Sequence, residues 1–353
     1  MEIPLKDLIG TVDQARLVGR DTISIRGIAY DSRRAQPGFI FVAIPGYRVD
    51  GREFISDAVR NGAVAVVTDT ELESDLPQLV TPTPRKALAD IAARFYNYPG
   101  TGIEICGVTG TNAKTTLVHL TKHLLKVAGL RAGMVSSLVY DTGPQSYKAE
   151  RTTPESLDLQ RLLSEMRQAD CTHAVIEVSS HALVLHRVEH IDFNVGLFTT
   201  FSRDHLDFHK TMDEYLQAKK LFLNKLEGDH KRAVLNVDVP EFAAFVFEAR
   251  CPVVSYSAEK RSADVMVTEA RLYPDRTEFR LATPQGKIPI CIRLPGRYNL
   301  SNAVGAAAVG VALEMDLKTT ARALESAGPV PGRFQPIDMG QPFAILLDYA
   351  HTP

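Results

Sequence analysis

The sequence predicts an α/β protein of more than one domain: a small N-terminal α/β domain, then a larger P-loop-type domain whose mostly parallel sheet carries helices on both faces. Three observations lead there. A chain of 353 residues with 45% apolar content is too long for one ordinary core and rich enough for two or three. From Gly102 onward, short apolar runs alternate with segments of helical period, the pattern of a parallel sheet covered by helices. The first of those runs opens into a Gly/Thr/Asn loop, "GVTGTNAKTT" at 107–116, with an amphipathic segment directly behind it.

The elements follow in order. "GIAYDSRR" and "FIFVAIPG" each read as a strand entering a turn, "REFISDAVRNGA" as a short helix ending near Gly62, and "VAVVTD" as a buried strand. "RKALADIAARFYNYPG" reads as a helix stopped by Pro99 and Gly100, with a domain boundary there. "IEICGVT" is a buried strand leading into the loop. In "TTLVHLTKHLLKVAG" the residues Leu117, Leu120, Leu124 and Val127 share one helical face, and Gly129 ends the helix. "HAVIEVSS", "NVGLFTT" and "RAVLNVD" are further strands, and "MDEYLQAKKLFLNKL" is a helix. Between about 263 and 293 strands recur without helices, which predicts an antiparallel insertion or sheet extension. "NLSNAVGAAAVGVAL" and "KTTARALESA" are helices, "GPVPGR" at 328–333 marks a second boundary, and "FAILLDYAHTP" reads as one strand and a turn.

Composition excludes several function classes. The 40 basic and 42 acidic residues nearly cancel, which argues against broad electrostatic binding to nucleic acid or anionic membrane. No run of about 18 apolar residues offers a membrane helix, and the N-terminus lacks a basic segment followed by an apolar run, so a cytoplasmic protein is expected. The widely separated Cys106, Cys171, Cys251 and Cys291 suggest neither a zinc site nor a disulfide framework.

A strand, a tight loop and a helix N-terminus form an anion site, because backbone N–H groups point inward and the helix dipole adds positive charge. Lys114 can reach terminal phosphates and the Thr115 hydroxyl can bind Mg²⁺. Val108 and Ala113 occupy the slots where the strict G-x-x-x-x-G-K-[ST] pattern has glycine, so a plain polar turn is the competing reading. Alanine at 113 is expected to be tolerated because Gly110 remains at the tight turn. That holds for a negative φ; a positive one costs about 1–2 kcal/mol.

Glu177 ends an apolar strand, where an acid beside a phosphate loop is the usual second ligand to nucleotide-bound Mg²⁺, although taken alone such an acid is more often a solvated strand end. "FSRDHLDFH" crowds Asp204, His205, Asp207 and His209 together, either as a metal or acid/base cluster or as a helix cap at Asp204 with exposed histidines. In "EYLQAKKLF", Lys219 and Lys220 point about 100° apart on a helix. Tyr215, Ala218 and Phe222 place Lys219 toward the packed side. A buried lysine has a lowered pKa, so its neutral amine can act as a nucleophile or take up CO₂ as a carbamate; an ordinary snorkelling lysine is the alternative.

Taken in order, "TGTNAKTT", "TTP" at 152–154, "EVSSHAL" at 177–183, "SRDHLDFH" at 202–209 and "YLQAKK" at 215–220 resemble the Mur ligase family, and within it the branch that extends a muramoyl dipeptide to a tripeptide. "YDSRRAQPGFIFVAIPGYRVDGREFI", "GRYNLSNAVGA", "PGRF" and "DYAHTP" continue the likeness, which covers nearly the whole chain. It implies an ATP-dependent amide ligase that joins a diamino acid, meso-diaminopimelate or L-lysine, to UDP-N-acetylmuramoyl-L-alanyl-D-glutamate through an acyl phosphate, with a monomer expected. It further implies a UDP-sugar domain at 1–98, an ATP-binding domain at 99–332, and at 333–353 a linker and the first strand of a third α/β domain. The rest of that third domain would help to close the site, so weak ligation by these residues alone is expected.

Roles carry over by resemblance. Ser32 and the Tyr47, Arg48, Val49 segment would contact the uridine nucleotide, and Thr152, Thr153, Ser179 and Arg187 the muramoyl dipeptide. Gly110, Thr111, Asn112, Ala113, Lys114, Thr115 and Thr116 would cradle ATP, with Asn302, Arg333 and Asp348 on adenine, ribose or phosphate. Thr115 and Glu177 would bind one Mg²⁺, and His205 with a carbamylated Lys219 a second. Catalysis would rest on Lys114, Glu177, His205 and Lys219. Besides Ala113, Thr200 departs from the family pattern, standing where asparagine is usual. Two other readings compete: another Mur-like or folate-type ligase, against which "DSRRAQPG" argues, and a non-catalytic nucleotide- or UDP-sugar-binding module.

Overall fold

The computed structural model describes residues 2–46, 49–259, 262–337, 339–341, 343 and 345–350, which form two compact units. The first unit comprises Met1–Thr101 together with Pro154–Glu165 and Val184–Ile191. Its five-stranded sheet sets Gly27–Ala29, Phe39–Val42, Ala63–Thr68 and Gln78–Val80 in parallel, with Arg16–Val18 antiparallel at the edge. The helix Pro84–Phe95 closes the core with Ala87, Leu88, Ile91, Ala92 and Phe95, which share one face at helical spacing. That helix does not run on to Pro99. It ends at Phe95 because Asn97 (φ 55°) and Tyr98 (φ 48°) adopt left-handed backbone first.

The second unit comprises Gly102–Thr153, Met166–Leu183 and Asp192–Pro353 and holds an 11-stranded sheet. Across it the order is Ser146–Lys148, Val139–Asp141, Ala132–Val135, His173–Glu177, Glu104–Thr109, Phe193–Phe198, Arg232–Asn236, Val253–Ser257, Val265–Leu272, Thr277–Thr283 and Gly286–Ile292. The strands from Ala132–Val135 to Val265–Leu272 run parallel. Antiparallel strands extend both edges, so the run of strands after residue 263 extends the same sheet.

Strand Glu104–Thr109 lies at the centre and alternates its faces. Cys106 and Val108 face a core shared with Leu117 and Leu120 of the helix Lys114–Val127 and Val304 and Ala307 of the helix Arg297–Ala312. Gly107 faces the other way, where any Cβ would collide with the Phe222 and Phe193 rings. The helix that brings in Phe222 is shorter than its sequence suggested, ending at Lys220 before a 3₁₀ turn at Leu223–Lys225. Helix Lys114–Val127 ends as expected, with Gly129 at φ +80° and the Leu130 N–H donating to the Leu125 carbonyl at 2.9 Å.

The winding reverses at the centre. The chain leaves Glu104–Thr109 for Ala132–Val135 on one side, beyond His173–Glu177, whereas His173–Glu177 is followed by Phe193–Phe198 on the other side. A reversal of this kind opens a crevice at the carboxyl ends of the strands, the general ligand position in open α/β sheets.

His119, on helix Lys114–Val127, has a buried Nε2 with no hydrogen-bond partner. Burial pushes its pKa down to about 4, helped by Lys122 and Arg333 and opposed by Asp141. The unfolded chain, with an imidazole pKa of 6.5, then binds more protons than the fold between 6.5 and about 4. Stability from this group is complete above 6.5 and falls as pH drops toward about 4. The loss of melting temperature between neutral and acid pH is expected to be smaller in His119→Phe than in the wild type. Equal losses would contradict this placement of the imidazole.

Candidate active site

The carboxyl ends of the central strands surround one pocket, about 490 Å³ in volume, within the second unit. Its wall includes residues 111–116, Ser137, Leu138, residues 149–152, Glu177, Asp204, His205, Arg333 and Tyr349.

The loop is fixed by the segment that leaves strand Phe193–Phe198. The Thr111 N–H donates to the Thr200 carbonyl at 2.7 Å, and the Asn112 N–H to the Thr200 hydroxyl at 2.9 Å. The Thr199 hydroxyl donates to the Asn112 carbonyl at 2.6 Å. Gly110, at φ +146°, passes so close to Thr199 that a Cβ there would overlap its hydroxyl. Thr200, the departure from the family pattern, therefore holds two successive loop amides. The Lys114 amine lies back along the loop, donating to the carbonyls of Gly110 at 3.0 Å and Thr111 at 2.8 Å.

The expectation that Ala113 is cost-free needs correction. Its φ is +71°, in the left-handed region where a Cβ meets the following backbone. The methyl packs against the main core cluster, which offsets part of that strain.

Thr115 and Glu177 meet through a residue that the sequence reading missed. The Ser137 hydroxyl lies 2.9 Å from the Thr115 hydroxyl, and the Ser137 N–H donates to Glu177 Oε1 at 3.0 Å. Ser136 and Ser137 follow the strand Ala132–Val135 at the carboxyl ends of the parallel strands, where the loop also lies, and only the pairing of that strand with His173–Glu177 brings Ser137 to the site. Glu177 is buried, and burial raises its pKa against the pull of Lys114, the Ser137 N–H, Thr115 and Arg333. Burial lowers that of Lys114, with Glu177 and Asp204 opposing. Arg333 donates to the Thr115 hydroxyl at 3.2 Å and lies 4.7 Å from the Tyr349 ring centre.

His205 stands at φ 53° just before the short helix Leu206–His209. Its backbone N–H donates to Asp204 Oδ1 at 2.8 Å, so Asp204 braces His205 and is not itself the helix cap. His209 is buried with its Nε2 2.9 Å from the Ser180 hydroxyl, not exposed as the capping alternative required. Burial lowers the pKa of His205, with Lys114 and Lys219 adding and Asp204 opposing.

Lys219 is 1% exposed, its amine 4.6 Å from the centre of the Tyr215 ring. Burial and then Lys114 drive its pKa well below the ordinary range, and Asp204 opposes. No ion pair to Lys219 occurs among the described residues. Lys114, Glu177, Asp204, His205 and Lys219 thus share one electrostatic neighbourhood.

The other candidates divide by unit. Thr152 lines the pocket, and the Thr153 hydroxyl donates to the Glu177 carbonyl at 2.7 Å and accepts from the Ser179 N–H at 3.1 Å. Asn302 is buried in its helix and does not line the pocket. Nor does Asp348, which accepts from the Phe334 N–H at 2.6 Å, next to Arg333. In the first unit Ser32 is buried at the start of a 3₁₀ turn, Val49 is exposed, and Arg187 pairs with Glu155 at 3.0 Å. Tyr47 and Arg48 lie outside the described residues.

Comparison with known proteins agrees with this architecture. Residues 108–310 match the Mur ligase middle domain, and residues 24–96 match the Mur ligase family, catalytic domain. The chain belongs to the Mur ligase family. It is 39% identical over 334 residues to the UDP-N-acetylmuramoyl-L-alanyl-D-glutamate–2,6-diaminopimelate ligase of Bacillus velezensis, covering 93% of this chain and 68% of that protein. The ligase of the same name from Geobacillus thermodenitrificans is 40% identical over the same shares. A solved structure of a ligase so named superposes with a TM-score of 0.83 at 26% identity, covering all of this chain and 72% of its own. No helix among the described residues is long and apolar enough to cross a membrane.

Ala113→Gly is expected to relieve the left-handed strain of about 1–2 kcal/mol, less about 0.4–1 kcal/mol for the freer unfolded chain. A small rise in urea-unfolding stability is the expected result, and a loss would contradict the strain.

Proposed function

We propose that this chain carries the ATP-dependent, ADP-forming ligase reaction that adds meso-diaminopimelate to UDP-N-acetylmuramoyl-L-alanyl-D-glutamate in peptidoglycan precursor synthesis. The observation that supports it most is the phosphate-loop pocket whose rim brings Lys114, Thr115, Glu177 and His205 together. The similarity to diaminopimelate-adding ligases favours that diamino acid over L-lysine.

A carboxylate is a poor acyl donor, so its oxygen first attacks the γ-phosphorus of ATP and ADP leaves. The diamino acid's amine then attacks the acyl carbon, the tetrahedral intermediate gives up the amine proton, and phosphate departs with the electron pair of the broken C–O bond. The first step brings two anions together. Lys114 and the loop amides lower that repulsion where the phosphates sit. The hydroxyls of Thr115 and Ser137 and the buried Glu177 carboxylate are hard oxygen donors of the kind Mg²⁺ takes. When bound, Mg²⁺ supplies further charge neutralisation. A second ion would be held by His205 and Lys219. The buried Lys219 amine, its pKa held well below the ordinary range by burial, suits attack on CO₂ with loss of a proton, which would give an anionic carbamate ligand. Asn302, Arg333 and Asp348 remain proposed for the rest of the nucleotide. Thr152, Thr153, Ser179 and Arg187 remain proposed for the dipeptide, and Ser32 with the 47–49 segment for uridine. The functional divisions at 98/99 and 332/333, a monomer, and a cytoplasmic site of action belong to the same reading.

The full-length protein, supplied with ATP, Mg²⁺ and the UDP-dipeptide, is expected to release ADP and incorporate meso-diaminopimelate in preference to L-lysine. Lys114→Met should reduce turnover by about 10²–10³-fold, the usual effect of deleting one transition-state charge contact. Preference for L-lysine would overturn the substrate assignment. Binding of ADP and the UDP-dipeptide with no turnover would favour a non-catalytic binding module.

A further inference from the structure

Tyr215, on the helix Met212–Lys220, is fully buried and touches three parts of the site at once. Its hydroxyl lies 3.1 Å from the Thr111 hydroxyl in the phosphate loop. Its ring stacks on Phe201, with centres 5.2 Å apart, in the segment that leads to Asp204 and His205. The face of the same ring meets the Lys219 amine, one helical turn further on.

The direction of the bond to Thr111 follows from counting. A threonine hydroxyl has one proton to give and two lone pairs to receive with. The Thr111 hydroxyl donates to the Ser202 carbonyl at 3.2 Å and accepts from the Ser202 N–H at 3.0 Å. One lone pair remains, and the Tyr215 phenol fills it by donating. The rest of Thr111 is also engaged: its N–H with Thr200, its carbonyl with the Lys114 amine. Tyr215 therefore supplies the remaining anchor of the loop residue that itself seats Lys114.

We propose that Tyr215 is a positioning residue for nucleotide phosphates, acting through Thr111 to hold the phosphate loop while its ring face seats Lys219. The assignment rests on the ATP-ligase reading above, and it goes beyond that reading in naming a further group that anchors the loop.

Tyr215→Phe removes the hydroxyl and keeps the ring, so only the loop anchor is lost. Titration calorimetry with ADP is expected to show affinity reduced about 2- to 10-fold in Tyr215→Phe, the usual effect of one lost neutral hydrogen bond. Affinity for the UDP-dipeptide, measured on the same sample, should stay at the wild-type value; a general loosening of the fold would lower both. Thr111→Val removes the other end of the bond. The double variant should lose less ADP affinity than the two single losses combined, because they report one shared contact. Wild-type ADP affinity in Tyr215→Phe, or fully additive losses in the double variant, would overturn the role of Tyr215. Absence of ADP binding to the wild type would overturn the ligase reading itself, so the two failures are told apart.

Discussion

The grip of one strand exit on another controls this site. Strands Glu104–Thr109 and Phe193–Phe198 pair in parallel, and where the backbone ladder ends the pairing continues through Thr199, Thr200 and Ser202 onto Thr111 and Asn112. The loop therefore inherits the rigidity of the sheet's centre. The absence of a Cβ at Gly110 lets the two segments approach this closely. Lys114 and Thr115 then begin the helix at the place where the loop delivers them.

Charge in a low-dielectric setting follows from that geometry. Burial disfavours the ionised forms of Glu177, Lys114 and Lys219 together. Glu177 and Lys114 partly relieve each other, Arg333 further relieves Glu177, and Asp204 relieves both lysines, while Lys114 adds to the burden on Lys219. Titratable groups clustered in a pocket and pushed from their ordinary values mark functional sites more often than structural ones. Here the perturbed groups border a loop of backbone amides, a combination suited to an anionic ligand accompanied by a hard cation.

Much of this was legible in the sequence because local pattern and tertiary outcome agree. Apolar runs of strand length, the helical spacing of Leu117, Leu120 and Leu124, and the position of Lys219 between Tyr215 and Phe222 each point to the burial that is observed. What could not be read depends on contacts between distant segments. Ser137 became a site residue only once its strand lay beside that of Glu177, and Thr200 and Tyr215 acquired partners some ninety to a hundred positions away. The left-handed backbone at Ala113 was hidden for a different reason: alanine gives no local sign of positive φ, and the loop's outside anchors impose it. Asn97 and Tyr98 conceal the end of their helix in the same way, with the later Pro99 and Gly100 offering a more conspicuous stop.

The central claim is that the carboxylate of Glu177, the hydroxyl of Thr115 and the backbone amides at the start of the Lys114–Val127 helix hold one metal–nucleotide complex. The most direct measurement is anomalous diffraction from crystals grown with ADP and Mn²⁺. The account predicts a manganese peak within coordination distance of Thr115 and Glu177, with the β-phosphate against the amides of the loop. A nucleotide bound elsewhere on the chain, or manganese remote from both residues, would contradict it.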